Sequence, residues 1–242
     1  MIENHVLVTT KYGRQPCFAV CPDEPGEFPA IIFYMDAPGT REELYDQARR
    51  IAKHGYFCLL PDLYYRLGSL RFDIPRRNDA MSVVIRGAMT SLTNAAVMDD
   101  TGGMLAFLDG QDRVKPGPVG CVGHCMSGPF ALTAAARFPR MKAAAALYGV
   151  NMVTDSPDSP HLVVNQIKGE LYIAFAEIDS AVAANVIPDL KAALAKSGTN
   201  HVLETVAGTR HGYCFAARAD YNPVAAEETW AKLFALWDRN LR

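Results

Sequence analysis

The run Val119-Gly120-Cys121-Val122-Gly123-His124-Cys125-Met126-Ser127-Gly128-Pro129-Phe130 constrains this chain more than any other stretch. It begins as a short apolar segment, breaks at a glycine and resumes as an Ala-rich helical segment from Phe130 to Phe138. That order reads as strand, sharp turn, helix. Cys125 sits at the turn between small neighbours, Gly123 two residues before it and Ser127 two after. A nucleophile elbow has this layout. The strand carries the residue to the end of a sheet, the turn pushes its side chain outward, and the next helix aims its N-terminus at it. Such an N-terminus favours thiolate over thiol and offers backbone N–H groups to an anion. Plainer roles compete: a free cysteine is most often inert packing. The Cys121–Cys125 pair could also bind metal, but no second Cys/His pair at zinc spacing accompanies it.

The remaining segments alternate between two periodicities. Val6–Thr9 and Cys17–Val20 read as a hairpin turning at Tyr12-Gly13-Arg14. Pro29–Tyr34 is a continuous apolar run, the pattern of a strand buried on both faces. Thr40 is the expected N-cap of a helix over Arg41–His54, with Glu43 at the capping-box position and Gly55 as the stop. Tyr56–Leu60 is the next buried strand. The stretch from Pro61 to about Asn78 has little periodicity but is rich in Arg, Tyr and Phe; it reads as a surface excursion or as a loop over a site. Helical patterns follow at Ala80–Met89 and Asn94–Leu108, and Val114–Val122 leads into the elbow. Strands are expected at Ala143–Leu147, Glu170–Ala176 and Val202–Val206, with helices at Ile187–Lys196 and Val224–Leu241. This alternation predicts one α/β domain over residues 1–242, a mostly parallel central sheet with helices on both faces. Sites in such sheets lie beyond the carboxyl ends of the strands. Asp36, Cys125, Asp179 and His211 all fall at those ends.

Composition narrows the class. The chain has 242 residues, half of them hydrophobic and 21% charged, with a formal charge of −2. That balance gives no reason to expect a nucleic acid or an anionic membrane as partner. Six cysteines without regular spacing read as reduced thiols. The first residues, Met1-Ile2-Glu3-Asn4-His5, lack the basic and apolar regions of a signal peptide, so a cytoplasmic location is expected.

Cys125, Asp179 and His211 occur in the order nucleophile, acid, histidine, each after its own strand, as in alpha/beta hydrolases. An imidazole can take the thiol proton and return it to a leaving group, and a carboxylate holds the imidazole in the useful tautomer. Each member has an ordinary alternative. An Asp after a strand is commonly a turn residue or cap, Glu177 is a rival acid, and His211 alone could be a surface histidine. His54, His201, His5 and His161 fit less well, and His124 adjoins the elbow but points elsewhere. Ser127 is a weaker candidate nucleophile, since Cys125 rather than Gly stands two residues before it.

With these residues in view, the chain resembles the dienelactone hydrolase family, alpha/beta hydrolases with a cysteine nucleophile. The resemblance rests on Gly123-His124-Cys125-Met126-Ser127-Gly128-Pro129-Phe130-Ala131-Leu132, Leu60-Pro61-Asp62-Leu63-Tyr64, His54-Gly55-Tyr56 and His211-Gly212-Tyr213. It implies the alpha/beta-hydrolase fold, Cys125 as nucleophile, His211 as base and Asp179 as orienting acid. It also implies an oxyanion hole from the backbone N–H groups of Met126 and Ala37. The family's Glu beside the resting thiol is replaced here by Asp36, which either modulates the nucleophile or only orders its loop. Ser127 stands where a second Gly is usual. Tyr213-Cys214-Phe215 occupies the region where the lactone-cleaving members carry an Arg for the substrate carboxylate; Arg71, Arg76, Arg77 and Arg86 are alternative anion clamps. The expected activity is hydrolysis of a small carboxylic ester or lactone, without metal or organic cofactor, by a monomer or small homo-oligomer. The rival reading is a non-catalytic binding or regulatory protein on the same scaffold.

Overall fold

The first strand is largely exposed, whereas the apolar runs after it form strands buried on both faces. The computed structural model describes residues 1–242, which divide into two compact units, Met1–Gly117 and Pro118–Arg242.

In the first unit, β1 (Ile2–Thr10) and β2 (Gly13–Cys21) form the expected antiparallel hairpin. β2 pairs antiparallel with β4 (Phe57–Pro61), which pairs parallel with β3 (Phe28–Tyr34). The order within the unit is therefore β1-β2-β4-β3. Helix α1 (Glu42–Lys53) buries Leu44, Ala48, Ile51 and Ala52, a stripe at helical spacing. Its N-cap is Arg41, not Thr40, and no side chain caps it. Arg41 takes that place because its guanidinium is bound to Asp36 and Glu43, which fixes the entry of the chain. Helices α2 (Asp79–Thr90) and α3 (Asn94–Asp109) carry ordinary side-chain caps, Asn78 accepting from the Met81 N–H and Thr93 from that of Ala96. The excursion between β4 and α2 is irregular, and its start is anchored on the buried Asp100. Tyr65 donates to Asp100 Oδ1 at 2.8 Å, and Arg66 pairs with Oδ2 at 2.5 Å.

The second unit is built on parallel pairing in the order β5-β6-β7-β8. The strands are β5 (Val114–His124, which crosses the boundary), β6 (Met141–Leu147), β7 (Glu170–Ile178) and β8 (His201–Arg210). Its helices are α4 (Gly128–Arg137), α5 (Val186–Ser197) and α6 (Pro223–Leu241). Ala143–Ala146 have weak intrinsic strand preference, yet they form the middle of β6, on which both α4 and α6 pack. Helix α6 buries Trp230, Leu233, Leu236 and Trp237, and each such leucine contributes roughly 1.5–3 kcal/mol. No helix is long and apolar enough to cross a membrane.

Candidate active site

β5 ends at His124, and Cys125 opens a 3-10 turn over Cys125–Ser127 that runs into α4. The helix thus begins earlier than the Phe130 expected from sequence. Cys125 has a φ of 54°, in the left-handed region, which costs a side-chain-bearing residue roughly 1–2 kcal/mol. Gly123 makes the turn possible: a Cβ there would lie 2.0 Å from the Ser127 carbonyl oxygen. All six cysteines are free thiols. Cys125 is 8% exposed and the others between 0 and 4%. Burial pushes the thiols of Cys17, Cys58 and Cys121 well up, which makes them inert. Ser127 is fully buried.

The other two residues are brought together by a register shift. Leu171 to Ala176 of β7 pair residue for residue with His201 to Val206 of β8, and the register then shifts so that Ile178 lies opposite Arg210. Two residues along β7 match four along β8. An unshifted ladder would put Asp179 opposite Thr209; the shift puts His211 there instead. Gly208, at a φ of 69°, allows the extra residues. Glu177 and Thr209 stitch them: the Glu177 N–H donates to Thr209 Oγ1, and Glu177 Oε2 accepts from the Gly208 N–H at 2.8 Å. Glu177, the rival acid, is thereby engaged away from His211. Asp179 Oδ2 lies 2.7 Å from His211 Nδ1, and its Oδ1 accepts from the Ala181 N–H at 2.9 Å. The sequence expectation ended β8 at Val206, although a glycine within a strand pattern is the signal of a bulge.

The imidazole is mostly buried, which disfavours its charge. The hydrogen bond to Asp179, and a further hydrogen bond and charge attraction from Cys125, outweigh that burial and hold His211 up at about 9. With Nδ1 on Asp179, the sulfur is left with Nε2. Asp179 and Cys125 thus engage the same imidazole, the carboxylate at Nδ1.

An aromatic cluster, not foreseen from sequence, packs beside His211. Tyr148, just after β6, is fully buried at a φ of 40°. Its ring meets His211 edge-on at 5.3 Å, Tyr213 at 5.4 Å and His124 at 5.6 Å.

In the first unit, Asp36 follows β3 and is fully buried. Arg41 grips both of its carboxylate oxygens, at 2.5 and 3.1 Å. The Asp36 carbonyl accepts from the Gly39 N–H, and the Tyr64 hydroxyl donates to the Ala37 carbonyl at 2.8 Å. The loop carrying Asp36 and Ala37 is therefore held at several points. No group of three or more His, Cys, Asp or Glu side chains is arranged to hold a metal ion.

The model of the dienelactone hydrolase family matches residues 16–241. The chain belongs to that family. A relative from Methylorubrum extorquens named "Putative carboxymethylenebutenolidase" is 27% identical, the alignment covering 96% of this chain and 79% of the relative. One of the same name from Synechocystis is also 27% identical, covering 90% and 88%. Among solved structures, a protein from Klebsiella pneumoniae titled a putative dienelactone hydrolase superposes with a TM-score of 0.88 at 20% identity, covering 98% of both chains. The fold is that of the alpha/beta hydrolases, an eight-strand, mostly parallel sheet with helices, and the protein is a dienelactone hydrolase-like hydrolase.

Within this family member, the segment after His211 is packing. Tyr213, Cys214 and Phe215 are all buried, and the Tyr213 hydroxyl bonds Thr229. The first cation after His211 is Arg218, whose guanidinium stacks over Phe215 at 4.7 Å. Of the other arginines weighed as anion clamps, Arg71 pairs with Asp62, Arg76 with Asp73, and Arg77 bonds Ser82.

Proposed function

We propose that the protein hydrolyses a small carboxylic ester or lactone through a thioester on Cys125, with His211 as base and acid and Asp179 as orienter. The observation that carries this reading is the 2.7 Å contact of Asp179 with His211 Nδ1, on an imidazole that Cys125 also hydrogen-bonds. The Cys125 sulfur, its proton on His211, attacks the substrate carbonyl, and the carbonyl electron pair moves to oxygen. The backbone N–H of Met126, next to the nucleophile in the 3-10 turn, is the proposed donor to this oxyanion. Such a donor is typically worth roughly 3 kcal/mol of barrier. The tetrahedral species collapses, the C–O bond breaks, and the leaving alkoxide takes the proton from His211. His211 then removes a proton from water, the hydroxide attacks the thioester, and the sulfur leaves as the acid is released. Asp179 holds the Nδ1–H side of the ring throughout.

The relatives' name and the family's description favour a lactone among the substrates. The buried Tyr213-Cys214-Phe215 segment, where lactone-cleaving members carry a cation, favours lactones and esters without a carboxylate at that place. A panel of lactones, enol esters and p-nitrophenyl esters, assayed with the wild type and with Cys125→Ala, tests the reading. Turnover that needs Cys125 supports it. No turnover of any member by a folded wild type favours the binding-protein alternative.

A further inference from the structure

We propose that Tyr148 is a positioning residue, a rigid strut that seats the His211 imidazole against Cys125. The proposal deepens the reading of Cys125, His211 and Asp179 as the reacting groups and rests on it. The hydrogen bond that His211 Nδ1–H donates to Asp179 fixes one edge of the imidazole and leaves the ring able to pivot about it. A second surface is needed to keep the opposite nitrogen on the sulfur. Tyr148 supplies one: its ring stands edge-on to His211, 5.3 Å between centroids at 66°. The strut is itself braced. Tyr213 and Phe215, from the segment after His211, back the ring at 5.4 and 6.3 Å. The Tyr148 N–H donates to the Ala174 carbonyl of β7 at 2.6 Å, and the Val150 N–H donates to the Cys125 carbonyl at 3.0 Å. One short segment thus touches β7, the Cys125 backbone and the His211 ring.

The backbone supports the same role. A φ of 40° is uncommon for a residue with a bulky ring, and such outliers persist where the surroundings over-determine them. Gly or Asn would adopt this conformation more readily, so the ring contacts of Tyr148 must offset its backbone strain. The groups facing the imidazole are the Asp179 carboxylate, the Cys125 sulfur and the Tyr148 ring, with His124 and Tyr213 in contact with Tyr148 behind it.

Two readouts test the strut, one independent of any substrate. The His211 titration is followed by NMR in the resting protein, and kcat and KM are measured on p-nitrophenyl acetate. Tyr148→Leu removes the flat ring. Its expected effect is a kcat lower by about tenfold or more, with KM changed no more than about twofold. Its His211 midpoint falls from about 9 toward the ordinary 6.5. Tyr148→Phe keeps the ring and stays within about twofold of wild type, with an unmoved midpoint. Leu190→Ala, a buried cavity in α5, lowers the Tm but moves neither the midpoint nor the kcat/KM split. If the leucine variant does not fold, Tyr148→Asn, which tolerates the left-handed backbone, takes its place with the same expectations. An unmoved midpoint and kcat in a folded Leu or Asn variant overturn the proposal. So does a Phe variant as impaired as Leu, which would assign the role to the hydroxyl. If the wild type does not turn over the ester, the reaction reading fails, and the NMR titration alone still decides whether Tyr148 seats the imidazole.

Discussion

Asp179 and His211 meet at 2.7 Å across 32 residues of sequence because β7 and β8 slip by two residues just before their ends. The contact depends on Gly208, Thr209 and Glu177, which form the shift, as much as on the pair itself. The two carboxylates near this strand end thus have separate tasks. Glu177 holds the bulge, and Asp179 holds the imidazole.

Asp179→Asn removes the charged partner of His211 and places an amide where a proton acceptor is needed. A loss of kcat of at least about 100-fold is expected, with a stability change of about 1–2 kcal/mol. Glu177→Gln keeps an acceptor oxygen for the Gly208 N–H and changes kcat by no more than about threefold. Steady-state kinetics beside denaturant melts measure both. A larger loss of kcat in a folded Glu177→Gln protein would move the acid role to Glu177.

The raised value of His211 has a definite sign in stability. Its folded-state midpoint, about 9, lies above the ordinary 6.5, so the folded protein binds that proton more tightly than the unfolded chain. The resulting stabilisation is complete below about pH 6.5 and is lost as pH rises through about 9. Asp179→Asn lowers the midpoint, so its destabilisation relative to wild type is largest, on the order of 2 kcal/mol, at the acid end of this window. The difference shrinks toward pH 10 or so. Urea melts of the two proteins across this range check it, and a gap that widened with rising pH would contradict the assignment.

Cys125 is the most exposed of the six thiols, and it is the one beside His211. Iodoacetamide labelling of the folded protein with peptide mapping is expected to modify it first, at least about tenfold faster than Cys17, Cys58 or Cys214. Equal labelling of Cys214 and Cys125 would weaken its assignment as nucleophile.

The Asp36–Arg41 pair weights the two roles weighed for Asp36 toward ordering its loop, because Arg41 already engages both carboxylate oxygens. Arg41→Ala strands a fully buried carboxylate and is expected to cost about 3–5 kcal/mol. Asp36→Asn keeps a hydrogen-bonding side chain and costs less, about 1–2 kcal/mol. A loop-ordering Asp36 leaves the pH profile of Cys125 alkylation unchanged in Asp36→Asn while ester turnover falls. A profile displaced to lower pH would assign Asp36 an electrostatic action on the thiol.

The parts of the site readable from sequence were those set by residue type and local turn chemistry. Gly123 before Cys125 announces a turn that no larger residue would permit, and apolar runs place Asp36, Asp179 and His211 at strand ends. Pairing register was not readable, because it depends on how β8 meets β7, and the glycine that permits the shift looked like the end of the strand. Thr40 was misplaced as the cap of α1 for a related reason. Cap preference is a small local effect, and the ion pairs of Arg41 with Asp36 and Glu43 override it. Tyr148 carried no signal, since an aromatic after a buried strand is ordinary in sequence and unusual only in its backbone angle and its neighbours.

A covalent acyl-enzyme on Cys125 is the species through which the proposed hydrolysis passes, and it can be trapped. The protein is mixed with p-nitrophenyl acetate, quenched in acid within the first turnover, and digested for mass spectrometry. The expected result is an acetyl adduct on the peptide bearing Cys125, released by hydroxylamine and absent in Cys125→Ala, which also loses turnover. Turnover retained in Cys125→Ala, or an adduct on Ser127 in place of Cys125, would contradict it.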